Sequence, residues 1–162
     1  MPGVNAPYGF QLWKQEGGAG ISLERVQIDT NITIVAGQAL KRAADVYATQ
    51  CATNDTKTIG FATEGVTGAV GIRPWINIYP ARSDFIFVCQ GMTTTSLTGA
   101  LVGLTRALRV SGAFMGLHVA AAGASMFQIV GLKPNADGTP STGQTYAEAL
   151  VIVKKSGFTG AS

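Results

Sequence analysis

The side chains best suited to chemistry in this chain are one histidine, His118, and two cysteines, Cys51 and Cys89. A Ser-His-Asp or Cys-His site needs an imidazole that takes the nucleophile's proton and a carboxylate that orients the ring. His118 stands in the alternating run Gly116-Leu117-His118-Val119-Ala120, where a strand sends its ring one way and Leu117 and Val119 the other. That pattern suits a surface or structural histidine. Cys51, Cys89 and His118 lie far apart and lack the paired spacing of a zinc site. The nine carboxylates are scattered singly, so no acid–base pair is legible. Gly17-Gly18-Ala19-Gly20 has the glycines of a phosphate loop, but a strand pattern follows it, so no helix N-terminus is there to meet an anion. It suits a hinge. Aromatic–basic neighbours occur only at Trp13-Lys14 and Arg73-Pro74-Trp75, too few for a base-stacking platform. The sequence therefore assigns no catalytic, cofactor-binding or metal-ligating residue, and the expectation is a protein that is not an enzyme.

The elements that carry these residues belong to a chain of 162 residues with 13% charged side chains and a pI near 9.0. That charged share is about half the usual one for a soluble domain. The mean hydropathy is +0.25, yet no apolar run is long enough to cross a bilayer as a helix. Only two adjacent basic pairs occur, Lys41-Arg42 and Lys154-Lys155, within a net charge of +3. Neither a specific nucleic-acid partner nor a membrane is expected. A neutral surface of this kind is expected to be covered by protein partners, as in a part of an assembly. The N-terminus, Met-Pro-Gly-Val-Asn-Ala-Pro, has neither the basic nor the apolar region of a signal peptide. Synthesis in a cytoplasm is expected, with Cys89 a buried thiol inside Phe85-Ile86-Phe87-Val88-Cys89.

Two segments are distinguished. Residues 1–20 hold Pro2, Pro7 and several glycines, which stop regular structure, together with Tyr8, Phe10, Leu12 and Trp13. Large apolar side chains on an irregular segment belong in a groove, on the same domain or on a neighbour. Residues 21–162 are expected to form one all-β domain, a barrel or sandwich. Period-two runs at Ile21 to Ile34, around a turn near Asp29-Thr30-Asn31, predict half-buried strands. The stretch from Leu40 to Ala52 admits a helix, weakened by Thr, Val and Tyr. Short strands are predicted over 58–64 and 66–72. A hairpin is predicted from Pro74–Tyr79, a turn at Pro80–Ser83, and a return over Asp84–Gln90. Further strands are predicted over 101–110, 114–119, 126–132 and 145–154, and a poor helix over 92–101.

Carried by Asn5-Ala6-Pro7-Tyr8-Gly9-Phe10 and the Gly17-Gly18 hinge, the chain resembles the small β-barrel decoration, or cement, proteins of tailed-phage heads. Gly37-Gln38-Ala39-Leu40, Ile59-Gly60-Phe61-Ala62, and Ile78-Tyr79-Pro80-Ala81 with Asp84-Phe85-Ile86-Phe87 continue it. Phe127-Gln128-Ile129-Val130-Gly131-Leu132 and Leu150-Val151-Ile152-Val153 resemble the closing strands. Gln11-Leu12 departs from the Arg-Pro often found after the aromatic step of such arms. The resemblance implies a β-tulip-like domain and a homotrimer on the outer capsid surface of a virion, with the major capsid protein as partner. It would stabilise the shell against the pressure of packaged DNA. The arm residues expected to bind the capsid are Tyr8, Phe10, Leu12, Trp13 and Lys14. Three other readings stay open: a phage tail or connector part, a carbohydrate-binding β-sandwich using Tyr79, Trp75 and Trp13, and a small enzyme using His118.

Overall fold

The computed structural model describes residues 9–17, 20–43, 46–92, 96–120, 126–139 and 147–154. The protein is all-β, and its sheets pack as a sandwich. The first sheet comprises β1 (Gln11–Gln15), β9 (Phe85–Gln90), β13 (Glu148–Val153), β12 (Phe127–Leu132), β10 (Thr105–Ser111) and β11 (Phe114–His118), adjacent in that order. The second runs β2 (Glu24–Gln27), β8 (Trp75–Pro80), β6 (Gly60–Ala62), β4 (Ala39–Arg42), β5 (Ala48–Gln50). A small pair, β3 (Thr33–Ile34) and β7 (Val66–Thr67), completes the strands. All the ladders are antiparallel. Two isolated parallel bridges add to them: Ile28 with Ala48, and Gly91 with Leu117.

Periodicity explains where each strand sits. In β8, Ile76 and Ile78 are buried while Trp75 and Asn77 are exposed, the alternation of a strand with one face inward. In β9 all six residues are buried. A strand apolar on both faces belongs inside a covered sheet, and β9 is flanked by β1 and β13. The expected hairpin over 74–90 is therefore not one. Both strands form, but β8 joins the second sheet and β9 the first, so the 80–84 turn is a corner between sheets. The stretch 40–52 is strand, not helix: β4 and β5 pair as Leu40–Gln50, Lys41–Thr49 and Arg42–Ala48. Thr49 lies in β5 and Tyr47 leads into it, residue types that prefer the extended backbone, whereas Val46 sits in the turn with φ +71°. Of the segment 92–101, the described part holds a single 3₁₀ turn at Gly99–Leu101.

The boundary expected at residue 20 moves as well. Phe10 is buried and joins the main core, and Gln11–Gln15 pair with β9. These residues belong to the domain rather than to an arm. The main core lies between the sheets around a cluster of phenylalanines. Phe10 stands 4.8 Å from both Phe61 and Phe127, and Phe61 stands 4.4 Å from Phe87. Gly9 permits this entry: its φ is +82°, and a Cβ there would lie 2.5 Å from the Gly37 carbonyl oxygen. A second apolar cluster, with Leu40, Ala62, Ile76 and Ile78 from the second sheet, takes Ile34 from β3.

Candidate interaction surface

The residues with chemical potential are not assembled. His118 ends β11 opposite Ala107, half-buried, its Nδ1 buried without a hydrogen-bond partner. Among the described residues, no three of His, Cys, Asp and Glu gather closely enough to hold a metal ion. Burial, and then the Asp55 carboxylate, push the Cys51 thiol up to about 12. Burial, and then Glu148, raise Cys89 as well. Thiols held protonated in this way are poor nucleophiles.

Of the residues assigned to an arm, Tyr8 lies outside the described residues. The other four are split. The Phe10 N–H donates to the Gly37 oxygen at 2.8 Å, and its ring fills the core. Leu12 is half-buried and packs against the same core. The β1–β9 register slips between Leu12 and Lys14, a bulge that breaks the alternation. Trp13 is consequently 43% exposed, and Lys14 is exposed beside it. Lys14 meets Glu16 at 2.9 Å, and Lys133 Nζ stands 6.0 Å from the Trp13 ring. An open groove of about 330 Å³ runs along Phe10, Gln11, Leu12, Gly37, Thr63 and Tyr79.

A second surface lies where the outer edges of β2 and β5 diverge from the Ile28–Ala48 bridge. An open groove of about 240 Å³ there is lined by Arg25, Val26, Gln27, Arg42, Val46, Tyr47 and Trp75. The Arg25 guanidinium lies 5.5 Å from the Trp75 ring centre, and that of Arg73 lies 4.2 Å from the Tyr47 ring centre. Arg73 Nε is also 3.5 Å from Asp29. Arg42 Nη1 donates to the Val46 oxygen at 2.7 Å. Sequence reasoning found only the Arg73-Pro74-Trp75 part of this surface. The other members come from β2, β4 and the turn before β5, and only the sheet order brings them together.

No family model, no curated protein and no solved structure matches the chain. What the coordinates define is an all-β sandwich with two exposed aromatic–basic surfaces, one on each main sheet.

Proposed function

We propose that the chain is a non-enzymatic structural protein of a tailed-phage virion. It binds the outer surface of the icosahedral capsid as a homotrimer and stabilises the shell against the pressure of packaged DNA. The sequence resemblance supports this reading, including its trimer and its partner, the major capsid protein. The observation that carries it here is the exposed Trp13-Lys14 pair on a strand pinned by Phe10 and Leu12. An indole held outward on ordered backbone loses little further conformational freedom on docking. Burying it contributes about 2–3 kcal/mol, and three copies on one trimer act at high effective concentration.

The test is saturation co-sedimentation with expanded, undecorated capsids of the encoding phage. Binding should plateau at three copies per threefold position. Trp13→Ser should weaken it at least tenfold while thermal stability stays near wild type. Absence of binding to intact expanded shells overturns the proposal. Truncation through residue 15 would be a poor substitute, because it also removes Phe10 from the core.

A further inference from the structure

The outer face of the first sheet has the composition of an interior. Along β9, Phe85, Phe87 and Cys89 enter the main core, so Ile86 and Val88 face the other way. Along β13 the core takes Ala149, Val151 and Val153, which turns Leu150 and Ile152 outward. Leu150 stands opposite Val88, and Ile152 opposite Gln128 of β12. β12 has a bulge between Ile129 and Gly131, and its extra residue, Val130, is 39% exposed. The chain before β10 adds to this side. The Gly103 N–H donates to the Ile129 oxygen at 2.7 Å, and the Ile129 N–H to the Leu104 oxygen at 3.0 Å. Val102 and Leu104, 42% and 46% exposed, thereby flank β12. The Gln128 amide is occupied, donating to the Gly103 oxygen at 3.1 Å. An antiparallel sheet that faces water alternates apolar in and polar out. Here β9, β12 and β13 put aliphatic side chains on both faces.

Charge decides what covers this face. From Phe85 to Leu132 the sequence holds no Asp, Glu or Lys, and the link 140–146 between β12 and β13 holds no charge at all. Arg106, opposite the core residue Phe127, donates to the Val119 and Thr105 oxygens. Arg109 lies further along β10, opposite Gly116 of β11. Charged groups border the face as pairs, Lys14 with Glu16 at 2.9 Å and Lys133 with Glu148 at 2.7 Å, and Lys154 follows β13. A neutral centre inside a compensated rim offers no sign for an oppositely charged protein to match. Another uncharged aliphatic face matches it without stripping water from a charge. From this we infer that the strip of Leu104, Val130, Ile152 and Leu150 is the surface through which copies of this chain pack on one another. In a closed ring of three, the Leu104 end of one strip meets the Leu150 end of the next. The inference rests on the homotrimer of the proposed function and is independent of its capsid.

Sedimentation equilibrium of the purified chain, with no capsid present, should give three times its mass of 16.8 kDa. Val130→Lys should raise the concentration of half-dissociation by about tenfold or more, because its ammonium would lose water against an aliphatic neighbour. Its circular dichroism should match wild type. Phe114→Ser should leave the mass unchanged: Phe114 is 54% exposed, but at the tip of the β10–β11 hairpin. A second variant locates the contact. Val130→Cys adds one accessible thiol to a chain whose other two, Cys51 and Cys89, are buried. A maleimide should label it about tenfold more slowly at concentrations where trimers form than after dilution to monomers. Phe114→Cys should label at one rate in both states. A wild-type mass of one or two chains at millimolar concentration, or a Val130→Cys rate independent of concentration, overturns the inference. Binding to the capsid is then still judged by co-sedimentation, so the two readings fail separately.

Discussion

Removing the Phe10 ring would empty a space between Phe61 and Phe127, each 4.8 Å away, that its neighbours are too closely packed to fill. Phe10→Ala should therefore cost about 3–5 kcal/mol, read as a lower urea midpoint with an unchanged slope. A loss below about 1 kcal/mol would mean the ring is not in the core. Cys51 and Cys89 allow a second check, since burial raises both thiols above their ordinary value. At pH 8 the native protein should react with a thiol reagent far more slowly than the unfolded chain, which should yield two equivalents. Cys89 was legible from its apolar run. Phe10 was legible only as a ring that needs burial: residue type gives the driving force, while the choice between the chain's own core and a partner depends on long-range packing.

The strands show the same division. Alternation at β8 and continuous apolarity at β9 mark two strands of different environment, and that contrast is the signal that they occupy different sheets. The stretch Pro80–Ser83 reads as a hairpin turn because turn chemistry is local, whereas strand pairing is not. The corner also fastens β1. Arg82 Nε and Nη2 both donate to Asp84 at 2.9 Å, Gln15 Nε2 donates to it at 3.3 Å, and the Glu16 N–H donates to its backbone oxygen at 2.8 Å. Partial desolvation acts to raise the Asp84 carboxyl, but the hydrogen bonds from Arg82 and Gln15 outweigh it and hold the group below its ordinary value. A carboxyl lowered in the folded state contributes stability that is present above its unfolded value and lost as pH falls through the folded one. The end of β1 should accordingly loosen as pH falls through and below the ordinary carboxylate range, where Asp84 takes up its proton. Faster amide exchange at Glu16 and a shift of the Trp13 indole report it. Asp84→Asn should flatten that pH dependence, and an unchanged profile in the variant would assign the loosening to other groups.

At the scale of the molecule, local patterning conveyed the class and little of the connectivity. The all-β class followed from short strands punctuated by glycine and proline. The groove at Arg25, Tyr47 and Trp75 did not, because three non-adjacent segments meet there only after the second sheet is ordered β2-β8-β6-β4-β5. The first sheet depends on the whole chain too: β1, from one end, and β13, from the other, flank β9. Both run antiparallel to it, with Gln11 opposite Val88 and Gln15 opposite Phe85 on one side, and Glu148 opposite Gln90 and Val151 opposite Phe87 on the other. The two outer strands thus point the same way, so a tensile load applied between the chain ends pulls them in opposite directions along their axes. Such a load is shared by all the rungs of both ladders at once rather than opening them one by one. In a single-molecule stretching experiment the domain should yield abruptly at high force when held by its two ends. Pulled across the strands, between Gln15 and Val110, it should give way at markedly lower force.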